Sequence, residues 1–381
     1  MTQAKSENSP VDPAIVAADN AFGLNLLNTL LQVDSTDNTA IAPLSVALAL
    51  QIVYNGAVGA TQQAMAQTLQ LGGLSVSQLN SDNAALQASL LDADPQVDLT
   101  VANSLWVHTN TYTVAPAFVS MDQNYYGAEL GDLGGAPANV NSWVGTQTNG
   151  LIPQVLSPKS DYSRTVALLV NVMYFKGQWA SEFSVAQTAA APFTLADGTQ
   201  TSVPMMRQIE TIPYFQGTNF QAVSVPYGQG RLSMLIVLPN PGVALDSFVA
   251  AMTPSDIDTW VSRMESSASV DLRLPRFSTS FGAFLVEELK ALGMGSAFDP
   301  NQAGLAGIYP GGFISEVDHK TVVEVNETGT VATDVTVVGV RTTVVQQSFD
   351  FEADHPFFYA IRDNATGDLL FVGVLRNPNG G

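Results

Sequence analysis

The chain has 381 residues, 46% of them hydrophobic and only 13% charged, which is ample material for a large core and excludes a disordered polypeptide. A formal net charge of −20, with Lys and Arg totalling 14, sets up a negative field that disfavours nucleic acid and heparin-like anions. There is no cysteine, which removes disulfides, thiolate metal sites and cysteine nucleophiles, and three separated histidines, His108, His319 and His355, do not make a zinc site.

The first dozen residues, MTQAKSENSPVD, are polar and lack an apolar h-region, so residues 1–16 read as a flexible polar extension. That start suits a cytoplasmic protein, or a mature extracellular or periplasmic one whose signal has been removed. No run of about 18 consecutive apolar residues predicts a membrane span. From Asp12 to Gln32 apolar residues recur at helical spacing, which predicts an opening helix. Ala42 to Gly59 is apolar on nearly every face and predicts a buried helix with Pro43 at its start.

Ala115–Tyr126 and Val140–Leu156 read as further helices, whereas Leu99–His108 and Val166–Phe175 carry the β-branched and aromatic residues of strands. Beyond Phe193, short strands are predicted at Val203–Met206, Phe220–Val225, Leu232–Leu238 and Val270–Leu274. A helix from Phe281 to Gly293 interrupts them, with Gly293 as its stop. Helices and strands without regular βαβ alternation, no linker and no repeat predict one α+β domain, residues 17–381, with antiparallel or mixed sheets.

Glu327 to Ser348, ETGTVATDVTVVGVRTTVVQQS, is β-prone, nearly uncharged and without proline. It is too long for an ordinary interior strand, and as an exposed segment it is an aggregation hazard that a protein keeps only for a purpose.

Six stretches spread over the chain carry a family pattern. They are NTAIAPLSVALALQIVYNGAVGAT from Asn38, VNSWVGTQTNG from Val140, NVMYFKGQW ending at Trp179, VPYGQGRLSMLIVLP ending at Pro239, HKTVVEVNETGT from His319 and HPFFYAIRDNATGDLLFVGVLRNP ending at Pro378. In type and order they resemble the serpins, and the acidic, cysteine-free composition is similar to that of prokaryotic members. The resemblance implies an α+β fold of about eight or nine helices around three sheets. It also implies an inhibitor of serine proteases whose exposed reactive-centre loop, about residues 327–348, is cleaved and then enters the central sheet as a new strand. Such a native state is metastable, held by a kinetic barrier above a more stable inserted form.

By position the resemblance assigns Glu327, Thr328, Gly329, Thr330, Val331 and Ala332 to the loop's hinge, with Gly329 as the pivot. It assigns Ser45, Asn171 and His319 to the shutter, a polar cluster beneath the parting strands, and Trp179 to the breach where insertion begins. From the residues alone, a histidine on an apolar strand reads as a satisfied core histidine, and Trp179 as core packing.

Three departures bear on function. Ala42 stands where the family commonly has a shutter serine, which removes one hydroxyl worth on the order of 1 kcal/mol. The region between Leu71 and Leu99 lacks a basic helix, so no heparin binding is expected. If the loop enters the sheet with the family's parity, strand alternation turns Thr330, Ala332, Asp334, Thr336, Val338 and Val340 toward the core, which would bury the Asp334 carboxyl. Protonating it at neutral pH costs about 4 kcal/mol. Roughly ten new backbone hydrogen bonds, worth on the order of 10 kcal/mol, keep insertion downhill.

Family spacing from Gly329 puts the scissile bond between Thr343 and Val344, which suits an elastase-like or subtilisin-like protease. Arg341, in a loop two residues shorter, suits a trypsin-like protease, and Thr342 is the third alternative. No G-x-S-x-G, H-E-x-x-H, P-loop or dinucleotide motif occurs, so the chain reads as no enzyme, and no cofactor, metal, membrane or nucleic-acid partner is expected. A monomer is the expectation. The alternative function is a non-inhibitory serpin, a carrier, chaperone or protease substrate, which Asp334 favours and the small residues of the hinge oppose.

Overall fold

A computed structural model describes residues 11–91, 93–266, 268–330 and 348–380. Among these residues nine α-helices surround three sheets, the α+β arrangement expected. The opening helix runs Pro13–Val33 with Ile15 and Val16 buried. Residues 13–16 therefore belong to this helix and not to a polar extension. Asp12 caps that helix, its carboxylate accepting from Ala14 N at 2.9 Å. The helix is long and apolar enough to cross a membrane, but most of it is buried in the core.

The central sheet orders its strands as Phe277–Phe284, Glu316–Val325, Gly329–Thr330, Ala167–Gln178, Val97–Val107 and Glu129–Asp132. Alternation along Ala167–Gln178 divides its two faces. Leu168, Val170 and Val172 pack with Trp106, Val140 and Val144 beneath the Ala138–Gln147 helix, whereas Leu169, Met173 and Phe175 join the main core. On that core side lies the helix Pro43–Gly56, buried at nearly every position as its all-round apolarity predicts.

Two expected helices are shorter than the sequence suggests. The second stops at Gln147, not Leu156, because Asn149 and Gly150 take left-handed φ angles of 51° and 81°. Phe281 to Phe284 is not helical but closes the edge strand Phe277–Phe284, whose inward positions recur every second residue. Helix begins only at Val286, and Gly293, at φ 113°, breaks it near its end.

A second sheet of six strands and a third of four complete the fold. Ser348–Glu352 pairs in parallel with Ser269–Pro275 in the four-stranded sheet. The segment 331–347 thus connects two sheets, from Thr330 in the central one to Ser348 in the other.

Candidate functional site

The seam of the central sheet lies between Glu316–Val325 and Ala167–Gln178. At its lower end the strands pair directly and in parallel over five positions, Glu316 with Leu168 through Lys320 with Val172. At the upper end Thr330 comes between them, opposite Val325 on one side and Gly177 on the other. The strands are closed below and wedged apart above.

A row of polar residues crosses the closed part. His319 stands opposite Asn171, and Asn171 opposite Asn103 on the next strand. His319 Nδ1 lies 3.1 Å from Asn171 Oδ1, and His319 Nε2 accepts from Ala42 N at 3.2 Å, so the ring is neutral with its proton on Nδ1. Asn171 Nδ2 donates to Asn103 Oδ1 at 2.6 Å and to the Ser45 carbonyl. Thr321 Oγ1 donates to the Ala40 carbonyl at 2.7 Å. Complete burial pushes the His319 pKa down to about 3.

The structure brings Asn171 and His319 together, and Ser45 joins them through its backbone. Its hydroxyl is buried without a partner, and its carbonyl makes the contact. Ala42 contributes its backbone N–H despite lacking a hydroxyl. Asn103 and Thr321 escaped the sequence reading, although each is a polar residue inside an apolar strand.

The upper end is built on Trp179 and Tyr227. Their rings stack at 4.4 Å and 10°, with Trp179 3% exposed. Trp179 Nε1 donates to the Asn326 carbonyl at 2.9 Å, and Trp179 N to the Thr328 carbonyl at 2.9 Å. The Asn326 side chain holds the turn, accepting from Thr328 N at 3.1 Å and Gly329 N at 3.3 Å. Gly329 sits at φ 149°, and a Cβ there would lie 2.1 Å from the Gly177 carbonyl oxygen. Only glycine fits this close approach.

Glu327 is buried, paired with Arg276 and accepting from Thr188 Oγ1 at 2.6 Å. Burial pushes its carboxyl up, but the hydrogen bonds from Arg276 and Thr188 outweigh it and leave the carboxyl below its ordinary range. Thr330 is fully buried, with its hydroxyl 2.9 Å from the Tyr227 phenol. The structure thus brings Glu327, Thr328, Gly329 and Thr330 together with Trp179. Val331, Ala332, Asp334, Thr336, Val338, Val340, Arg341, Thr342, Thr343 and Val344 lie outside the described residues.

A family model described as serpin (serine protease inhibitor) matches residues 17–378. The chain belongs to the serpin family. Leukocyte elastase inhibitor of Xenopus laevis is 34% identical to this serpin over 372 residues, covering 94% of this chain and 97% of its own. An uncharacterized serpin-like protein of Methanosarcina acetivorans is 29% identical over 376 residues, covering 96% of this chain and 86% of its own. Among solved structures, the native thermophilic serpin tengpin superposes with a TM-score of 0.90 at 26% identity, covering 98% of this chain and 96% of its own. Human thyroxine-binding globulin has a TM-score of 0.86 at 25% identity, covering 96% and 100%. The fold is the serpin fold.

Proposed function

We propose that this serpin inhibits a serine protease as a suicide substrate. The protease serine attacks the Thr343 carbonyl, the Thr343–Val344 bond breaks, and the Val344 amine leaves with a proton. The loop then enters the central sheet between Glu316–Val325 and Ala167–Gln178 and carries the ester-linked protease with it before water can hydrolyse the ester.

One observation carries this reading. Thr330 sits at the top of the seam between Val325 and Gly177, with its side chain buried against Tyr227, which supports a strand entering the sheet from this point. Thr330 faces the core, the parity expected of the loop's inserting residues. An elastase-like or subtilisin-like target is supported by the small β-branched Thr343 and by relatives named as leukocyte elastase inhibitors. Arg341 or Thr342 as the cut site makes the target trypsin-like or leaves it elastase-like.

The experiment mixes the protein with a subtilisin, an elastase and a trypsin, resolves the products on denaturing gels and sequences the released C-terminal peptide. A band that survives denaturation supports trapping, and the peptide's first residue names the bond. Loop cleavage without such a band, with every protease, establishes the second reading, a non-inhibitory serpin, which the Asp334 carboxyl favours.

A further inference from the structure

Four oxygens on three side chains are buried without a partner where the first helix meets the last β-hairpin. Asp19 on Pro13–Val33, Gln51 on Pro43–Gly56 and Asp368 just before Leu369–Leu375 are each 0% exposed. Gln51 Nε2 donates to Asp19 Oδ1 at 3.1 Å, which places the other end of that amide beside the same carboxylate. Asn20 clamps the backbone on both sides of Asp368, donating to the Gly367 carbonyl at 3.0 Å and accepting from Leu369 N at 2.9 Å. Asp368 is thereby held against the helical turn that carries Asp19. Left over are Asp19 Oδ2, Gln51 Oε1 and both Asp368 oxygens.

Of the neighbouring guanidinium groups, Arg231 bonds Asp363 at 2.8 Å, whereas Arg362 bonds Asp258 at 3.3 Å, keeps its Nε buried without a partner and lends its charge to Asp368 as well. Two adjacent buried carboxylates beside one guanidinium that also serves Asp258 are under-compensated, and buried orphan oxygens call for an ion, a proton or water. Among the described residues no three carboxylate or imidazole groups gather as a metal site, so an ion here relies on two carboxylates and an amide. All four atoms are hard oxygen donors, which select a hard cation, and two carboxylates match a divalent charge. Mg2+ gives up its water reluctantly, so for residues closed to solvent Ca2+ is the better match.

We propose that Asp19, Gln51 and Asp368 form a structural site for a hard divalent cation of the size of Ca2+, which ties the first helix to the last hairpin. Because the site is shut in the folded protein, the ion enters during folding.

The test unfolds the full chain in denaturant with a chelator, refolds it with either CaCl2 or chelator, desalts it, and measures bound calcium by atomic emission and the thermal midpoint. The expected result is one calcium per chain after refolding with CaCl2, and a midpoint higher by several degrees than in chelator. Asp368→Asn is expected to lose both the retained calcium and the calcium-dependent rise. Should that variant fail to fold, Gln51→Met with reduced calcium retention supplies the second reading. Wild-type protein that retains no calcium and melts identically with or without it overturns the proposal. So does Asp368→Asn retaining as much calcium as the wild type.

Discussion

The phenol of Tyr227 and the hydroxyl of Thr330 lie 2.9 Å apart, and neither residue has exposed surface. Tyr227→Phe leaves the Thr330 hydroxyl buried and unpaired, which is expected to destabilise the native form by about 1–3 kcal/mol. Adding Thr330→Val removes both partners at nearly constant shape and should restore most of that loss. A double-mutant cycle on thermal or urea midpoints measures the coupling, and additive losses would show that the bond does not hold the hinge.

Asp334→Ala is expected to lower the number of inhibitor molecules consumed per protease trapped, more at neutral than at acidic pH. The carboxyl must be protonated or solvated as it enters the sheet, and about 1.4 kcal/mol on that barrier slows insertion tenfold while the acyl-enzyme goes on hydrolysing. Titrating protease against wild type and variant at two pH values checks this, and equal stoichiometries refute it.

His319 gives a defined acid sensitivity. Burial holds its pKa at about 3, against an ordinary value of 6.5, so unfolding takes up a proton anywhere between those values. Its contribution to stability is complete above pH 6.5 and is lost as pH falls toward 3, at about tenfold in the unfolding equilibrium per pH unit. His319→Gln removes this dependence. The stability gap between wild type and variant should narrow steadily from pH 6.5 downward in urea titrations.

Asp318, one residue away on the opposite face, works in the other direction. Burial, with the Glu316 charge adding to it and Lys320 opposing, pushes its carboxyl up to about 7. A folded pKa above the ordinary value of 3.8 gives stability that is complete below that value and lost as pH rises through 7. Asp318→Asn is therefore expected to gain on the wild type between pH 4 and 7. A gap that stays constant with pH would mean that the carboxyl is already ionised.

The resemblance made most of the fold and the core of the site legible. The run from His319 to Thr330 supplies one wall of the seam and the wedge at its top, and the run from Asn171 to Trp179 the other wall. Physical reading alone found the strands within a few residues, because their β-branched runs are dense. It erred where local signals competed, as at Phe281–Phe284, where a helix-like apolar spacing also satisfies strand alternation. It passed over Asn103 and Thr321, whose only local signal is a polar side chain in an apolar strand, and it could not find Tyr227 or Arg276, since their importance comes from contacts with residues far away in the chain. Nor does any short-range pattern announce that Asp19 and Asp368 meet, since nearly the whole chain separates them.

The lower seam is closed by only five paired positions, and His319 and Asn171 stand opposite one another among them. On the proposed insertion, a strand advancing from Thr330 would have to break these rungs one at a time, replacing each with a rung of its own. The resistance would then be uneven, lowest at the wedge and greatest where the imidazole adds its hydrogen bonds to the rungs. A substitution in the polar row would change how far a cleaved loop travels before stalling, and hence the length of strand buried in partly inserted molecules.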